Sequence, residues 1–235
     1  MKKETVRKIL SELETGYDLI ADKFSSTRAF WWRDLKFMKD MVRPGDKILD
    51  FGCGNGRLAG FLNEIWSEPA FAKASAGKFV GVDVSQKLID IAKQKYSSEK
   101  TKFIKIDSLS AKLPFENNYF DMVFSIAVFH HFPSEEYALG IVKELHRVLK
   151  PGGKIIVTVW NLWQKQYLKY HQKSTKNWID ANIPFKSGEK VFSRYHHPFR
   201  MGELKSLFCE AGFKTLKTKE GWNLLYIGEK VSVDK

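Results

Sequence analysis

The sequence is poor in cysteine, with only Cys53 and Cys209 among 235 residues and no C-x-x-C pairing. Such a chain supports neither a disulfide framework nor a cysteine zinc site, so we expect a reducing compartment. It also lacks any apolar run of membrane-spanning length and the apolar segment of a signal peptide. We therefore expect a cytoplasmic protein with no membrane partner, and a length that suits one α/β domain with additions.

Acidic residues are also fewer than basic ones: the chain has 27 Asp and Glu and 39 Lys and Arg, which gives a net charge of +12. A basic balance of this size favours a polyanionic partner, with nucleic acid first and an anionic membrane second. The alternative is a lysine-rich soluble surface without such a partner.

Strand and helix patterns alternate along most of the chain. Apolar runs such as KILDF, FVGVD and KFIKID are each followed by a glycine-rich or amphipathic stretch, which predicts a parallel sheet with helices on both faces. Two helices are predicted before the first strand, over about 4–20 and 30–41. After the fifth strand the pattern predicts a helix closed by Gly212 and a hairpin that turns near Glu220 and Gly221.

Two segments break this alternation. Residues 67–78, SEPAFAKASAGK, lie where a short loop is expected, and we predict a surface insertion without chemistry. Residues 161–192 are rich in aromatic, lysine and glutamine residues, and we interpret them as a lid or substrate-binding insertion. The single domain (1–235) then divides into a helical extension (1–44), a core (45–160), this insertion (161–192) and a C-terminal helix and hairpin (193–235).

Three carboxylates follow successive predicted strands. Asp50 precedes the glycine loop FGCGNG, Asp83 ends the second strand and Asp107 ends the third. Glycines let a backbone approach a ligand closely, although dinucleotide-binding folds use similar turns. An acid before the loop suits an amino-bearing ligand better than a pyrophosphate, which it would repel. Each Asp alone could be a helix cap or turn residue, but the ordered trio favours a nucleoside site.

The motifs DFGCGNG, VGVD, LPFENNYFDMVFS and LKPGGKIIV stand in the order found in class I S-adenosylmethionine-dependent methyltransferases, which residues 47–159 resemble. The resemblance implies an α/β, Rossmann-like fold: a seven-stranded, mostly parallel sheet with helices on both faces and a C-terminal antiparallel hairpin. It implies S-adenosyl-L-methionine as cofactor, with Asp83 on the ribose, Asp107 and Ser108 facing the adenine, and Ala127 beside the sulfonium. The glycines would lie against the methionine part and Asp50 near its amino group. The expected cofactor-binding residues are Asp50, Gly52, Cys53, Gly54, Gly56, Asp83, Val84, Asp107, Ser108 and Ala127.

The adjacent histidines His130 and His131 follow the fourth strand, beside where the reactive methyl would lie. Because no carboxylate or cysteine spacing completes a ligand set around them, we predict no metal. They face substrate, or one of them caps the following turn.

Four further segments carry a narrower resemblance: YDLIADKFSSTRAFWW, FSIAVFHHF, VTVWNLWQ and SRYHHPFRMGELKSLFCEAGF. Together they resemble the tRNA methyltransferases that esterify 5-carboxymethyluridine at the wobble position. The resemblance implies an anticodon-loop substrate and a small activator protein, and the matching residues include Trp160. The segment between Trp163 and Phe192 and the 67–78 insertion depart from the family pattern. The expected catalytic and substrate residues are Arg28, His130, His131, Arg194, Tyr195 and His196.

Esterification of a carboxylate needs no general base, because a carboxylate is already ionised at neutral pH. Arginine is the natural clamp for a planar anion, so Arg28 and Arg194 are the candidates for that task. The tryptophans Trp31, Trp32, Trp160 and Trp163 flank the expected pocket and could stack on bases. Two alternatives stay open: a small-molecule or lipid methyltransferase of the same fold, and a non-catalytic RNA-binding or scaffold protein.

Overall fold

The structure is a computed structural model that describes residues 1–28, 33–66, 77–110, 112–173, 179–187 and 190–231. Trp31, Trp32 and residues 67–76 of the predicted insertion lie outside these ranges. In the described part of the chain, no helix is both long and apolar enough to cross a membrane.

The strands of the described ranges form two sheets. In chain order they are β1 (Lys47–Phe51), β2 (Lys78–Asp83), β3 (Thr101–Lys105), β4 (Phe120–Ile126), β5 (Leu149–Trp160), β6 (His171–Lys173), β7 (Ile179–Ser187), β8 (Lys190–His196), β9 (Phe213–Lys219) and β10 (Asn223–Lys230). The main sheet has the order β3-β2-β1-β4-β5-β10-β9, and β10 alone runs antiparallel to its neighbours. The predicted Rossmann-like fold and its C-terminal hairpin are confirmed, with the hairpin turn between Lys219 and Asn223.

Among the described residues, five α-helices surround this sheet: α1 (Lys3–Ser26), α2 (Arg57–Trp66), α3 (Gln86–Tyr96), α4 (Glu135–Val148) and α5 (Met201–Glu210). The first predicted helix is confirmed and extends further, to Ser26. The second is a 3-10 helix over Arg33–Met41. Ser85 and Ser134 cap α3 and α4, because each hydroxyl oxygen accepts a backbone N–H three residues on.

Both faces of the main sheet are buried. Successive strand residues point to opposite faces, so Leu49 packs in the cluster that contains α4 and α5, whereas Ile48 packs in the cluster that contains α2 and α3. Continuous burial along β1 and β4 explains why these strands have apolar runs rather than alternating patterns.

The segment predicted as a lid contains the second sheet, with the order β6-β7-β8 and all pairs antiparallel. Strand β8 crosses the boundary expected between residues 192 and 193. It packs on α1 at Gly16, where an added Cβ would lie 1.9 Å from Phe192 Cζ. Helix α1 and strand β8 therefore lie together over the carboxyl ends of the main strands.

Candidate active site

A cavity of about 170 Å³ lies between the carboxyl ends of the parallel strands and the cover made by α1 and β8. Each element contributes at least one polar side chain: Asp50 from β1, Asp83 from β2, Tyr17 from α1 and Arg194 from β8. The crevice outside the carboxyl ends of a parallel sheet is where open α/β folds bind ligands.

Asp83 joins the glycine loop to the start of α3. Its Oδ2 accepts the N–H of Gly54 at 2.8 Å and its Oδ1 accepts the N–H of Ser85 at 2.9 Å. Burial raises the pKa of Asp83, while these backbone hydrogen bonds oppose the rise. The Ser85 hydroxyl in turn donates to Asp18 of α1 at 2.6 Å, so the covering helix is tied to the same corner of the cavity.

Asp50 is a buried acid with an unusual pKa. It is 3% exposed, and burial, together with the nearby charge of Asp83, raises its pKa to about 8, with Arg57 opposing the rise. Asp50 is therefore largely protonated at neutral pH. A ligand that brings an ammonium group next to this carboxyl would favour its ionised form.

Asp107 and Ser108 form a turn at the third strand end. Asp107 Oδ1 accepts the N–H of Leu109 at 2.8 Å, and the Ser108 carbonyl accepts the Tyr137 hydroxyl at 2.6 Å. Both residues line the cavity. Asp107 therefore stabilises its own turn, which agrees with the alternative that each Asp is a cap or turn residue. It also lines the cavity.

The glycines of the loop have different surroundings. Gly52 has a φ of +79°, and an added Cβ would lie 2.2 Å from Val128 Cγ2, so this position tolerates no side chain. Gly56 has a φ of +78° and packs against Tyr96 and Ala92 instead. Of the three expected glycines only Gly52 lines the cavity among the described residues, so Gly56 has a packing role between the loop and α3.

Ala127 is one of two described non-glycine residues with positive φ, at +61°. Its N–H is held by the carbonyl oxygen of Thr158 at 2.9 Å and by the Thr158 hydroxyl at 3.1 Å. This conformation costs on the order of 1 kcal/mol or more for a residue with a Cβ. Such a cost at the cavity wall is typical of a functional site.

Arg194 is a buried cation in the lining of the cavity, contributed by β8. It is 4% exposed, it donates to the Tyr17 hydroxyl, and it packs near the rings of Trp160 and Phe185 at 5.3 and 5.1 Å. Within the described ranges it forms no salt bridge and its Nε has no hydrogen-bond partner. A buried charge without a counter-ion is costly, so this part of the cavity fits an anionic ligand.

The histidines beside Arg194 are neutral and held in defined tautomers. His131 Nδ1–H donates to the Tyr195 carbonyl at 2.9 Å, which leaves Nε2 to accept the Tyr17 hydroxyl at 2.7 Å. His130 Nδ1 accepts the N–H of Trp160 at 3.3 Å, and His196 Nδ1–H donates to the Arg194 carbonyl at 2.8 Å. Burial, with smaller repulsion from Arg194, lowers the pKa of all three, that of His131 to about 3.

His130, His131 and His196 bring ring nitrogens within 4.8 Å of one another, a set that could hold a metal ion. Three features oppose a cation there. Tyr17 occupies His131 Nε2, His130 carries its hydrogen on Nε2 because Nδ1 is an acceptor, and the Arg194 charge is close enough to lower all three pKa values. The cluster therefore fits an anion better than a metal.

Four of the six expected substrate residues line the cavity: Arg28, His130, His131 and Arg194. Tyr195 and His196 are placed differently, since neither is in the cavity lining of the described chain. Tyr195 points to the other face of β8, where its hydroxyl donates to Asp180, and His196 stacks behind His130 at 5.2 Å between ring centres. We correct their expected role from contact with substrate to support of the residues that line the cavity.

The sequence analysis predicts no role at this cavity for Tyr17 or Arg57, although both line it. Tyr17 lies on the apolar face of α1 and has the spacing of a core residue, and its hydroxyl is the only feature that distinguishes it. Arg57 begins α2 directly after Gly56, and burial, followed by repulsion from Arg28, lowers its pKa to about 10. An arginine at the first position of the helix after a glycine loop was the available signal.

Comparison with known proteins decides the family. Residues 49–157 match the methyltransferase domain family. The demethylmenaquinone methyltransferase of Staphylococcus aureus is 30% identical over 97% of this chain and 94% of its own length. The tRNA (carboxymethyluridine(34)-5-O)-methyltransferase of Arabidopsis thaliana is 31% identical over 73% of this chain. This chain belongs to the S-adenosylmethionine-dependent methyltransferases.

Solved methyltransferase structures agree with this fold. A S-adenosylmethionine-dependent methyltransferase of Methanosarcina mazei has a TM-score of 0.66 at 20% identity and covers 83% of this chain and 97% of its own. A chain from a Haloferax volcanii complex between the Trm112 methyltransferase activator and a methyltransferase has the same TM-score at 17% identity, covering 95% and 99%. As a member of the S-adenosylmethionine-dependent methyltransferases, this chain uses S-adenosylmethionine as its methyl donor. The chain spans 39% of the Arabidopsis relative's length.

Proposed function

We propose that this methyltransferase esterifies the carboxylate of a 5-carboxymethyl-type wobble uridine in tRNA. The observation that carries the proposal is Arg194, a buried cation in the cavity for which the described residues provide no acidic partner. A substrate carboxylate would supply the missing charge, and the similarity to tRNA carboxymethyluridine methyltransferases points to the same group.

The cofactor would occupy the half of the cavity lined by acids. S-adenosylmethionine supplies an electrophilic methyl group, and its ammonium, ribose and adenine fit the three strand ends in turn. Asp50 would bind the ammonium, Asp83 the ribose hydroxyls, and the Asp107–Ser108 turn the adenine. Gly52, Cys53, Val84 and Ala127 also line this half and would contact the cofactor through backbone and small side chains.

The substrate half would position the nucleophile without removing a proton. A carboxylate is ionised at neutral pH, so neither His130 nor His131 needs to act as a base, and their lowered pKa values keep them neutral. Negative charge on the carboxylate disappears as the ester forms. Arg194 would therefore bind the oxygen that does not attack, since a clamp on the attacking oxygen would stabilise the ground state. Tyr17 would hold the guanidinium in place.

Two partners are part of the proposal. The net charge of +12 supports a tRNA substrate, because lysines and arginines neutralise phosphates. A small activator protein is supported by the similarity to the Haloferax methyltransferase that was solved with Trm112.

A second candidate is methylation of a small quinol- or phenol-type substrate. It is supported by the Staphylococcus demethylmenaquinone methyltransferase, which matches almost the whole chain, whereas the tRNA relatives match only part of their own length. The apolar side chains that α1 contributes to the cavity, Leu10, Leu13 and Phe24, suit such a substrate. Here Arg194 would bind a phenolate oxygen.

The test is nucleoside mass spectrometry of tRNA that carries unesterified 5-carboxymethyluridine, after incubation with the protein and S-adenosylmethionine. We expect the methyl ester at the wobble position. Arg194→Ala should lower the rate at least 100-fold while cofactor affinity stays within about twofold, because a buried, charge-assisted hydrogen bond to the oxygen that does not attack contributes several kcal/mol. Arg43→Ala, at an exposed residue before β1, is the matched control.

Other outcomes separate the candidates. If the tRNA stays unmodified with and without an activator while a demethylated quinol is methylated, the second candidate replaces the first. If Arg194→Ala weakens cofactor binding as much as methyl transfer, Arg194 does not belong to the substrate half of the cavity.

A further inference from the structure

Trp222 is the most exposed large apolar side chain among those described, at 66%. It lies in the turn between β9 and β10, beyond the core of either face of the sheet. Aromatic side chains are enriched where proteins contact another molecule, and a tryptophan exposed to this extent is a candidate for such a contact.

The turn that carries Trp222 is held in place by the segment after β5. Asn161 Nδ2 donates to the Gly221 carbonyl at 2.9 Å, and Gln164 Nε2 donates to the Trp222 carbonyl at 3.1 Å. Side chains from another segment thus hold two carbonyl groups of this turn, those of Gly221 and Trp222. The indole is presented on a rigid support, which lowers the entropy lost when it binds a partner.

This turn lies beside the substrate half of the cavity. Asn223, the residue after Trp222, pairs with Trp160, whose ring lines the cavity. Neighbouring strands lie about 4.8 Å apart, so one strand spacing separates the start of β10 from the cavity wall. A molecule that places one group in the cavity could reach Trp222 with an adjacent group.

The surroundings of Trp222 are basic. Strand β9 forms the edge of the main sheet, and the two lysines nearest the turn, Lys217 and Lys219, are both exposed, with Glu220 as the single acid between residues 215 and 222. Exposed Arg200 stacks at 3.7 Å on Trp163, which lies between the two residues that bond this turn, Asn161 and Gln164. An exposed aromatic ring among cations is the combination that binds single-stranded nucleic acid, through base stacking and phosphate contacts.

We propose that Trp222 and the lysines of β9 form an RNA-docking surface, on which a base next to the target nucleotide stacks while lysines bind its phosphates. The inference rests on the proposed function in one respect, that the substrate is RNA. A lipid surface is the competing partner for a tryptophan among lysines. It fits less well, because the described large apolar side chains exposed on this surface are only Trp222 and Leu216, whereas interfacial insertion needs a continuous apolar face.

The experiment measures binding of a labelled anticodon stem-loop RNA to the full chain by fluorescence anisotropy at several salt concentrations. Trp222→Ala should weaken RNA binding roughly 10-fold, and Trp222→Phe should restore most of it, since a ring still stacks. The double variant K217E/K219E should make the negative slope of log affinity against log salt shallower by about two. Lys102→Glu, exposed on β3 at the opposite edge of the sheet, should change affinity much less.

Cofactor binding by every variant is measured in parallel and should match the parent protein, which excludes unfolding as a cause. The proposal is overturned if Trp222→Ala binds RNA as the parent does, or if the parent binds anionic phospholipid vesicles through Trp222 and does not bind RNA. Failure of the proposed reaction looks different. In that case RNA binds through Trp222, yet no ester forms at the wobble position.

Discussion

Replacing Asp50 by asparagine should make the ligand-free protein more stable, although it removes a residue expected to bind cofactor. The Asp50 carboxyl is buried beside Asp83, and its pKa is about 8 in place of 3.8. In the unfolded chain the same group ionises near pH 4. Between these two values, a rise in pH favours the unfolded state, because the unfolded chain loses a proton that the folded chain retains.

The magnitude follows from the two pKa values. At roughly 1.4 kcal/mol for each pH unit, the cost to folding rises from zero below about pH 4 to about 5 kcal/mol at pH 8. Structural relaxation and water entry reduce this figure, and we expect Asp50→Asn to stabilise the protein by about 2–4 kcal/mol more at pH 8 than at pH 5. For a chain of this length that corresponds to a difference of roughly 5–15 °C in the shift of Tm.

Thermal unfolding of the parent and of Asp50→Asn at pH 5 and pH 8, with and without S-adenosylmethionine, tests this reasoning. The parent should gain more from the cofactor than the variant does, since the variant lacks the carboxylate that an ammonium group would pair with. A change in Tm that is equal at both pH values, or a variant less stable than the parent at pH 8, would refute the argument from burial.

Two further substitutions test the two halves of the cavity. Tyr17→Phe leaves His131 Nε2 and Arg194 without the hydroxyl that joins them, so we expect a loss of about 1–3 kcal/mol in the free energy of unfolding by denaturant, together with a raised KM for substrate. A change in cofactor affinity instead would show that Tyr17 serves the other half. Gly52→Ala places a Cβ 2.2 Å from Val128 Cγ2 at a φ of +79°, and calorimetry should show at least 10-fold weaker cofactor binding. Gly140→Ala, a helical position with open space around the added Cβ, is its control and should bind cofactor normally.

The placement of the three acids in one cavity could be predicted from the sequence because its determinants are local. A short apolar strand, a glycine turn and an acid at the next strand end each leave a pattern within about ten residues, and the parallel sheet then brings Asp50, Asp83 and Asp107 to one edge. These three residues lie together because all carboxyl ends of parallel strands meet at that edge.

The substrate half depends on contacts between distant segments and could be predicted only in part. Strands β6, β7 and β8 pair through an irregular aromatic and lysine-rich sequence whose register no local pattern shows. Motif resemblance pointed to Arg194, Tyr195 and His196 together, but alternation along β8 turns Tyr195 to the other face. Tyr17 has the spacing of a core residue, and only the tertiary structure brings its hydroxyl to His131, 114 residues away.

Tyr17 and Asp18 are consecutive residues of α1 that hold the two ends of the cavity. Tyr17 bonds to His131 on the substrate side, and Asp18 accepts the Ser85 hydroxyl and the N–H of Lys87 on the cofactor side. A single helical turn therefore contacts both sides of the cavity. For turnover we expect spent cofactor and methylated product to leave in one motion of this helix, so that the residence time of one sets the residence time of the other.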